Sequence, residues 1–382
     1  MKRRQFGQCG FEVSVLGFGC MRLPVVAGDP DSIDEDEAVR MIRYAIDHGV
    51  DYLDTAYNYH RGKSEGLVGR ALGGGYRQQV RVATKLPTWL CKTSDDFTRY
   101  LDEQLDRLET DRIDCYLLHS LNKSIWERLR GLGVRKFLDR ELSRGRIGFA
   151  GFSFHDTFDL FKSVVDSYDW SLCQIMLNYV DVECQAGVRG LEYASSRGLA
   201  VVVMEPLRGG KLASGLPAEV KAEMEQIRTD WSPAEWGLRW VLNRPEVSVV
   251  LSGMSTMGQV VENLRIASEA EPGSMTADEL AALAKARQIF QGRVKIGCTE
   301  CGYCMPCPNE LPIPDLFTLY NDAFVFNASR DSARIYELIS KSGKDASACV
   351  ACGNCERACP QHLPVVELLK EVHKALGEAR QL

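Results

Sequence analysis

The sequence lacks the features that mark several large classes of protein. No apolar run approaches the length of a membrane span; the most hydrophobic short stretch is Leu199–Met204. The opening MKRRQFGQCG is basic but has no apolar core, so no secretion signal is expected and a cytoplasmic location is. Positive charge is not in excess: 46 Lys and Arg face 52 Asp and Glu, a net −6, with no basic stripe carrying interleaved aromatics. Neither nucleic acid nor a membrane is therefore an expected partner. No G-x-G-x-x-G follows the first strand-like segment, which weighs against a doubly wound dinucleotide-binding sheet.

Cysteine is present but unevenly placed. Cys9, Cys20, Cys91, Cys115, Cys173 and Cys184 are scattered, and the other eight of the 14 lie between Cys298 and Cys359. A secreted disulfide scaffold would spread them through a short exported chain. Clustering here points to metal, and the scattered six read as small buried hydrophobes.

Up to residue 268, short apolar runs alternate with amphipathic segments. Strands are predicted at Val13–Gly19, Tyr52–Asp54, Val80–Thr84, Ile113–Leu118, Ile147–Ser153, Leu172–Met176, Ala200–Met204 and Val247–Ser252. Helices are predicted at Asp36–His48, Glu65–Leu72, Phe97–Leu108, Val134–Arg144, Phe158–Asp166, Gly190–Arg197, Ser232–Leu242 and Gln259–Ser268. The Ser232 start combines an N-cap, Pro233 at the first helical position and a capping-box Glu235. Eight βα repeats predict an α/β fold of the (β/α)8 TIM barrel type, whose chemistry sits at the C-terminal ends of the strands. Thr276–Glu279 opens a further helix towards Gln291. The division is placed there: a barrel over 1–291, then a small α-rich domain over 292–382.

Chemically useful residues follow several of these strands. Asp54, Tyr57, Tyr59 and His60 follow the second, Lys85 the third, His119 the fourth and Ser153 the fifth. Each alone is more often structural. Together they sit on consecutive strand ends, which are neighbours in a barrel. Their shared chemistry is carbonyl reduction. A tyrosine, with an ordinary pKa near 10, is a poor acid until an ammonium lowers that value. Tyr59 would be the acid, Lys85 its partner, Asp54 the anchor of the lysine, and His119 the group that orients the carbonyl oxygen.

On these residues the chain resembles the aldo-keto reductase family over roughly residues 3–268. The motifs are DTAYNYHRGKSE (Asp54–Glu65), ATK ending at Lys85, LLH ending at His119, GFS ending at Ser153, Gln174, MEPLRGGKL (Met204–Leu212) and VVENL (Val260–Leu264). The resemblance implies an NAD(P)H-dependent oxidoreductase acting on a small carbonyl or alcohol, with the tetrad Asp54, Tyr59, Lys85 and His119. It further implies that Ser153 and Gln174 hold the nicotinamide carboxamide, and that Met21 lies near the nicotinamide ribose. Pro206, Leu207 and Gly209 would line the pyrophosphate, and Glu262 and Asn263 the adenine. Met204 stands where many members stack a tyrosine, and Phe154 where an asparagine is usual. Gly253, Ser255 and Gln259 occupy positions near which the family often places cations for the NADP 2′-phosphate. Without them the charge-assisted contacts to that phosphate are lost. NAD therefore stands beside NADP, and a flavin is a further alternative.

The tail carries Cys298-x2-Cys301-x2-Cys304-x2-Cys307-Pro308 and Cys349-x2-Cys352-x2-Cys355-x3-Cys359-Pro360. The second run has the spacing of bacterial ferredoxins, in which the fourth cysteine serves the other cluster. A zinc site would instead pair two separated C-x2-C knuckles. The paired runs resemble a dicluster [4Fe–4S] ferredoxin domain. The resemblance implies crossed ligation: Cys298, Cys301, Cys304 and Cys359 on one cluster, Cys349, Cys352, Cys355 and Cys307 on the other.

A nicotinamide delivers two electrons at once and a [4Fe–4S] cluster passes one. Three functions are therefore open. The clusters serve structure or redox sensing beside an NAD(P)H carbonyl reductase; or they relay electrons through a flavin or a redox protein partner; or the barrel is a non-catalytic redox-sensing module. Trp89, Trp126 and Trp231 are candidates for an aromatic pocket rim, set against plain packing roles.

Overall fold

The computed structural model describes residues 1–29, 32–298, 302–359 and 361–377. The apolar runs become strands because most of their side chains are enclosed on both sides. Ala200–Val203 and Val247–Ser252, for example, are buried at every position. Among the described residues ten strands form: β1 (Arg3–Gln5), β2 (Glu12–Ser14), β3 (Leu16–Gly19), β4 (Tyr52–Asp54), β5 (Arg81–Leu86), β6 (Ile113–Leu121), β7 (Ile147–Phe154), β8 (Leu172–Met176), β9 (Ala200–Met204) and β10 (Val247–Gly253). β3 to β10 pair in parallel and close into a barrel in chain order. The expected (β/α)8 fold is what the chain adopts.

One expected strand is two. Val13–Gly19 breaks at Val15. Val13 pairs antiparallel with Arg4 in the β1–β2 hairpin, whereas Leu16 pairs with Val250 in the barrel. The break is held by polar contacts that a continuous strand would not make. Ser14 Oγ donates to the Leu16 carbonyl at 2.8 Å, and the Ser14 amide donates to Asp51 Oδ1 at 2.8 Å. The hairpin's Phe6 joins Val13, Tyr52, Ala83, Cys115, Leu172, Ala200 and Val249 in one buried cluster. This plugs the end of the barrel where the strands begin and leaves the chemistry to the other end.

Packing groups the chain into two compact units whose limits differ from the motif boundary at 292. The barrel unit is 1–210 with 231–276; the second unit is 211–230 with 277–382. The loop after β9 therefore sends twenty residues into the second unit before Trp231 resumes the barrel. Within the second unit the helix Ala218–Glu225 lies against Ala277–Gly292. Arg228 Nε meets Glu279 at 2.8 Å and Lys285 meets Glu223 at 3.2 Å across that pair. The helices Ile313–Val325, Ser329–Lys341 and Val365–Gly377 enclose a second core of Leu316, Phe317, Tyr336, Leu369 and Val372. No described helix is long and apolar enough to cross a membrane.

Candidate active site and cluster region

β4 ends on Asp54, β5 carries Lys85 and β6 carries His119. The register sets Asp54 opposite Ala83 and Lys85 opposite Leu117, so three adjacent strands deliver these side chains to one end of the barrel. Tyr59 arrives from the turn after β4. Lys85 is only 1% exposed, and its ammonium has three partners. Nζ donates to Asp54 Oδ1 at 2.7 Å, to the Thr55 carbonyl at 2.8 Å and to the Tyr59 hydroxyl at 3.3 Å. The His119 ring stands nearly perpendicular to that of Tyr59, with centroids 6.2 Å apart. The structure thus brings together all four residues expected in the tetrad.

Burial governs the protonation of this group. It pushes the Asp54 carboxyl up, and Lys85 pulls it back. For Lys85 the burial that opposes its charge is outweighed by Asp54 and then Tyr59, and its pKa ends above the ordinary value. Tyr59 differs from the sequence expectation. Burial raises its phenol by more than Lys85 lowers it, so the net shift is upward. His119 is driven well below the usual imidazole value by burial, with Lys85 and His155 adding to the effect. At neutral pH the site therefore holds a charged lysine, a protonated tyrosine and a neutral histidine. His119 Nδ1 is buried with no hydrogen-bond partner among the described residues.

Two supports around the tetrad were not foreseen. The first is a buried network beneath Lys85. Thr84 Oγ1 and Gln104 Nε2 each donate to Glu65 Oε1 at 2.6 Å, and Gln104 Nε2 also lies 3.1 Å from the Lys85 carbonyl. Glu65 and Thr84 belong to recognised motifs; Gln104 comes from the helix Asp95–Arg107 and has no local signal. The second is the turn that carries Tyr59. His60, Arg61 and Gly62 all have positive φ, at 48°, 51° and 89°. The Leu23 amide donates to His60 Nε2 at 3.1 Å, which ties this turn to the segment after β3. The tryptophans divide as well. Trp89 is 40% exposed with its ring 5.2 Å from that of His119. Trp126 is buried against Trp170, a packing role.

Apart from Met21, which follows β3, the residues expected around the dinucleotide lie on β7 to β10, their loops and the helix Met257–Glu269. Ser153 and Gln174 are register partners on β7 and β8. Ser153 Oγ accepts from the Ser120 amide at 2.7 Å. Gln174 Nε2 donates to Met204 Sδ at 3.6 Å, while Gln174 Oε1 is buried without a partner among the described residues. Met21 is 57% exposed, Pro206 is buried and Leu207 half-buried. Glu262 accepts from Ser232 Oγ at 2.5 Å, and Asn263 is buried with Nδ2 on Ser252 Oγ at 2.9 Å. Gln259 Oε1 accepts from the Ser255 amide at 2.7 Å. Arg22 brings a cation among these residues. A β-carbon on Gly209, where φ is 65°, would fall 2.6 Å from Arg22 Nη2, and one on Gly253 would fall 3.3 Å from Arg22 Cβ. Arg22 follows β3, outside the segment after β10 near which the family often places cations.

In the second unit, the cysteines pack on the apolar core. Cys355 is buried in it, and Cys298, Cys304, Cys307 and Cys349 lie against it half-buried. Cys352 is exposed, and Cys301 lies outside the described residues. A cavity is lined by Cys298, Cys304 and Cys359, backed by Ile313, Phe317 and Val365. Its lining includes three of the four thiols expected on one cluster, from both motif runs, although no three potential ligands among the described residues lie close enough together to hold a metal ion. Asn309 Nδ2 donates to the Ala348 carbonyl at 2.8 Å, which fastens the residues after Cys307 to those before Cys349. The candidate donors are cysteine thiols, the usual ligands of iron–sulfur clusters, and they lie on an apolar core.

Comparison with known proteins agrees with both halves. The profile of the Aldo/keto reductase family matches residues 15–286, and that of a 4Fe-4S dicluster domain matches 297–363. The chain is 29% identical to L-galactose dehydrogenase of Arabidopsis thaliana over 307 residues, 72% of this chain and 91% of that protein. It is 26% identical to a probable aldo-keto reductase of Glycine max, over 68% of this chain and 82% of that protein. Among solved structures, the holo form of aldo-keto reductase AKR11C1 from Bacillus halodurans superposes with a TM-score of 0.63 at 27% identity. The match covers 75% of this chain and 96% of that one.

Proposed function

The chain belongs to the aldo-keto reductase family, and from that premise we propose that it reduces a small-molecule carbonyl, or oxidises the matching alcohol, with NADH or NADPH. The observation that carries this reading is the placement of Lys85 Nζ between Asp54 and the Tyr59 hydroxyl. A bound nicotinamide supplies the hydride. Tyr59 donates its phenolic proton to the carbonyl oxygen, and burial keeps that proton in place until then. Lys85 stabilises the phenolate left behind, and Asp54 and the Thr55 carbonyl hold the ammonium still. Neutral His119 orients the carbonyl oxygen without competing for the proton. Gln174 and Ser153 fit the carboxamide, since Gln174 Oε1 is a buried acceptor that the described protein does not satisfy. Arg22 and Gly209 fit the pyrophosphate: a cation beside a backbone position with no side chain.

The cysteines fit two [4Fe–4S] clusters. Cys298, Cys301, Cys304 and Cys359 would hold one, and Cys349, Cys352, Cys355 and Cys307 the other. Each cluster supplies one-electron chemistry and cross-links distant parts of the unit. In our reading their first role is to hold that unit together. A second reading rests on Met204, whose thioether meets Gln174 where a stacking tyrosine is common in the family. There a flavin, fed by a redox protein, would serve instead of a nicotinamide. In either reading the protein works in the cytoplasm.

The test is anaerobic purification, analysis for flavin and iron, and NADH and NADPH oxidation with a panel of carbonyls. Tyr59→Phe should lower turnover by about 10²–10⁴ while leaving nicotinamide binding intact. Bound flavin with no nicotinamide turnover would transfer the assignment to the second reading. Unchanged turnover in Tyr59→Phe removes the tyrosine from the chemistry.

A further inference from the structure

The loop after β9 has two roles in this chain. Its first part, Pro206 to Gly210, includes the residues that line the cofactor pyrophosphate in the reading above. Its next residue, Lys211, begins the stretch that folds with the second unit. Lys211 Nζ pairs with Asp322 Oδ2, and Asp322 is 5% exposed on the helix Ile313–Val325. The Lys211 ammonium also lies 5.8 Å from the centre of the Phe326 ring, one turn further on. Gly215 comes close to the Phe326 carbonyl, since a β-carbon there would fall 3.4 Å from that oxygen. Thus the residue immediately after Gly210 is anchored within the second unit.

The anchor is not an isolated surface pair. Asp322 belongs to the helix that carries Ile313, Leu316 and Phe317, and these side chains form the core on which the motif cysteines pack. Ile313 and Phe317 also line the cavity with Cys298, Cys304 and Cys359. The residues that follow the inserted stretch also adjoin a position expected at the dinucleotide. The chain re-enters the barrel at Trp231, and Ser232 Oγ donates to Glu262, a residue expected at the adenine. Both ends of the stretch therefore adjoin residues assigned to the dinucleotide, and its middle belongs to the cluster-bearing unit.

We propose that Lys211 and Asp322 are positioning residues for the dinucleotide: their ion pair sets the loop Pro206–Gly210, so that cofactor affinity depends on the folded state of the iron–sulfur unit. This rests on the nicotinamide reading above. It gives the clusters an influence on the reductase that needs no electron to pass between them and the cofactor. The coupling runs through the chain itself, by fixing one end of a loop whose other end is β9. A loop held at one end has more conformations to lose on binding, and its ligand affinity falls accordingly. A coupling free energy of the usual size corresponds to a change of about 5–150-fold in affinity.

The experiment measures dissociation constants for NADH and NADPH by fluorescence on the cluster-loaded full-length protein. Iron content and the visible cluster absorbance are recorded for every variant. Lys211→Met and Asp322→Asn should each weaken binding by about tenfold. The double variant should be no worse than either single one. Lys211→Arg keeps the charge pair and should keep the affinity, a rescue that a general loss of structure would not show. Lys370→Met removes an exposed pair elsewhere in the same unit and should change nothing. Removing the clusters with a chelator should weaken binding as much as Lys211→Met does. Affinity within twofold of wild type in Lys211→Met, with full iron content, would falsify the proposal. If Asp322→Asn fails to load iron, Lys211→Met and Lys211→Arg still decide the matter. If wild type binds neither dinucleotide, the nicotinamide reading itself fails, and that outcome is separate from the first.

Discussion

The Asn309 side chain donates an N–H to the Ala348 carbonyl at 2.8 Å. Two residues after Cys307, the first motif run is thus fastened to the residue before Cys349. The cavity lined by Cys298, Cys304 and Cys359 likewise draws on both runs.

Crossed ligation makes a countable prediction. Cys307→Ala and Cys352→Ala should each lower iron by about half, and combining them should lower it no further, because both remove the same cluster. Adding Cys359→Ala to either should remove the rest. Iron analysis and cluster absorbance check this; a larger loss in the Cys307/Cys352 pair would mean that the ligation is not crossed.

Removing the lysine should cost more than activity. Lys85→Met leaves the Asp54 carboxylate buried with its charge partner gone, a loss of about 3–5 kcal/mol. Asp54→Asn added to Lys85→Met should recover much of that stability while restoring no turnover. Urea unfolding measures the first effect. Equal stability of the single and double variants would count against a buried charge as the cause.

The protonation of Tyr59 gives the two reaction directions different pH profiles. Its phenol is raised by burial, so the protonated acid needed for reduction persists across neutral pH. Reduction should be level from about pH 6 to 9, whereas alcohol oxidation, which needs the phenolate, should still climb towards about pH 10. A reduction rate that falls through a midpoint near neutrality would point to another acid.

His119 ties stability to acid. Its folded pKa is depressed, so below the unfolded value of about 6.5 the unfolded chain takes up a proton that the folded chain refuses. The resulting loss approaches about 1.4 kcal/mol per pH unit as pH falls below that value. His119→Gln lacks this term. Wild-type stability measured against the variant should therefore drop between about pH 7 and 5. A difference that is constant with pH would place the His119 proton elsewhere.

Arg22 supplies a test of the cofactor cradle. Arg22→Met should weaken NADH and NADPH by similar factors, and the deficit should shrink at high salt, where an exposed phosphate contact is screened. A loss confined to NADPH would instead assign Arg22 to the 2′-phosphate.

The barrel was legible because its strands are apolar runs separated by amphipathic helices, and that alternation is local. What escaped has non-local causes. The break at Val15 depends on Asp51, a residue 37 positions from Ser14. The helix Lys123–Gly131 is the exception, since its signal is local: Asn122 caps it by accepting from the Ile125 amide at 2.9 Å, but a strict strand–helix alternation has no place for a second helix before Val134. The helix Ala218–Glu225 is absent from the predicted helices because its buried apolar residues, Val220 and Met224, belong to a helix that packs on one beginning only at Ala277. The tetrad was legible because its members sit in short motifs at strand ends. Arg22 and Gln104 were not, since each reaches its place through the closure of the barrel and carries no motif of its own. The direction of the Tyr59 shift could not be read either, because it depends on how deeply the phenol is enclosed.

The loop after β9 also sets an order for biosynthesis. Val220 and Met224 leave the ribosome well before the helix Ala277–Gly292 that covers them. At about 5–20 residues per second the wait is about 3–11 s. During that time the nascent chain displays an uncovered apolar segment in the midst of an otherwise consecutive barrel, and the stretch cannot settle until the C-terminal sequence is made. A stop codon placed after the last barrel helix would therefore release an unfinished protein, with a gap in its seventh loop, rather than a simpler reductase.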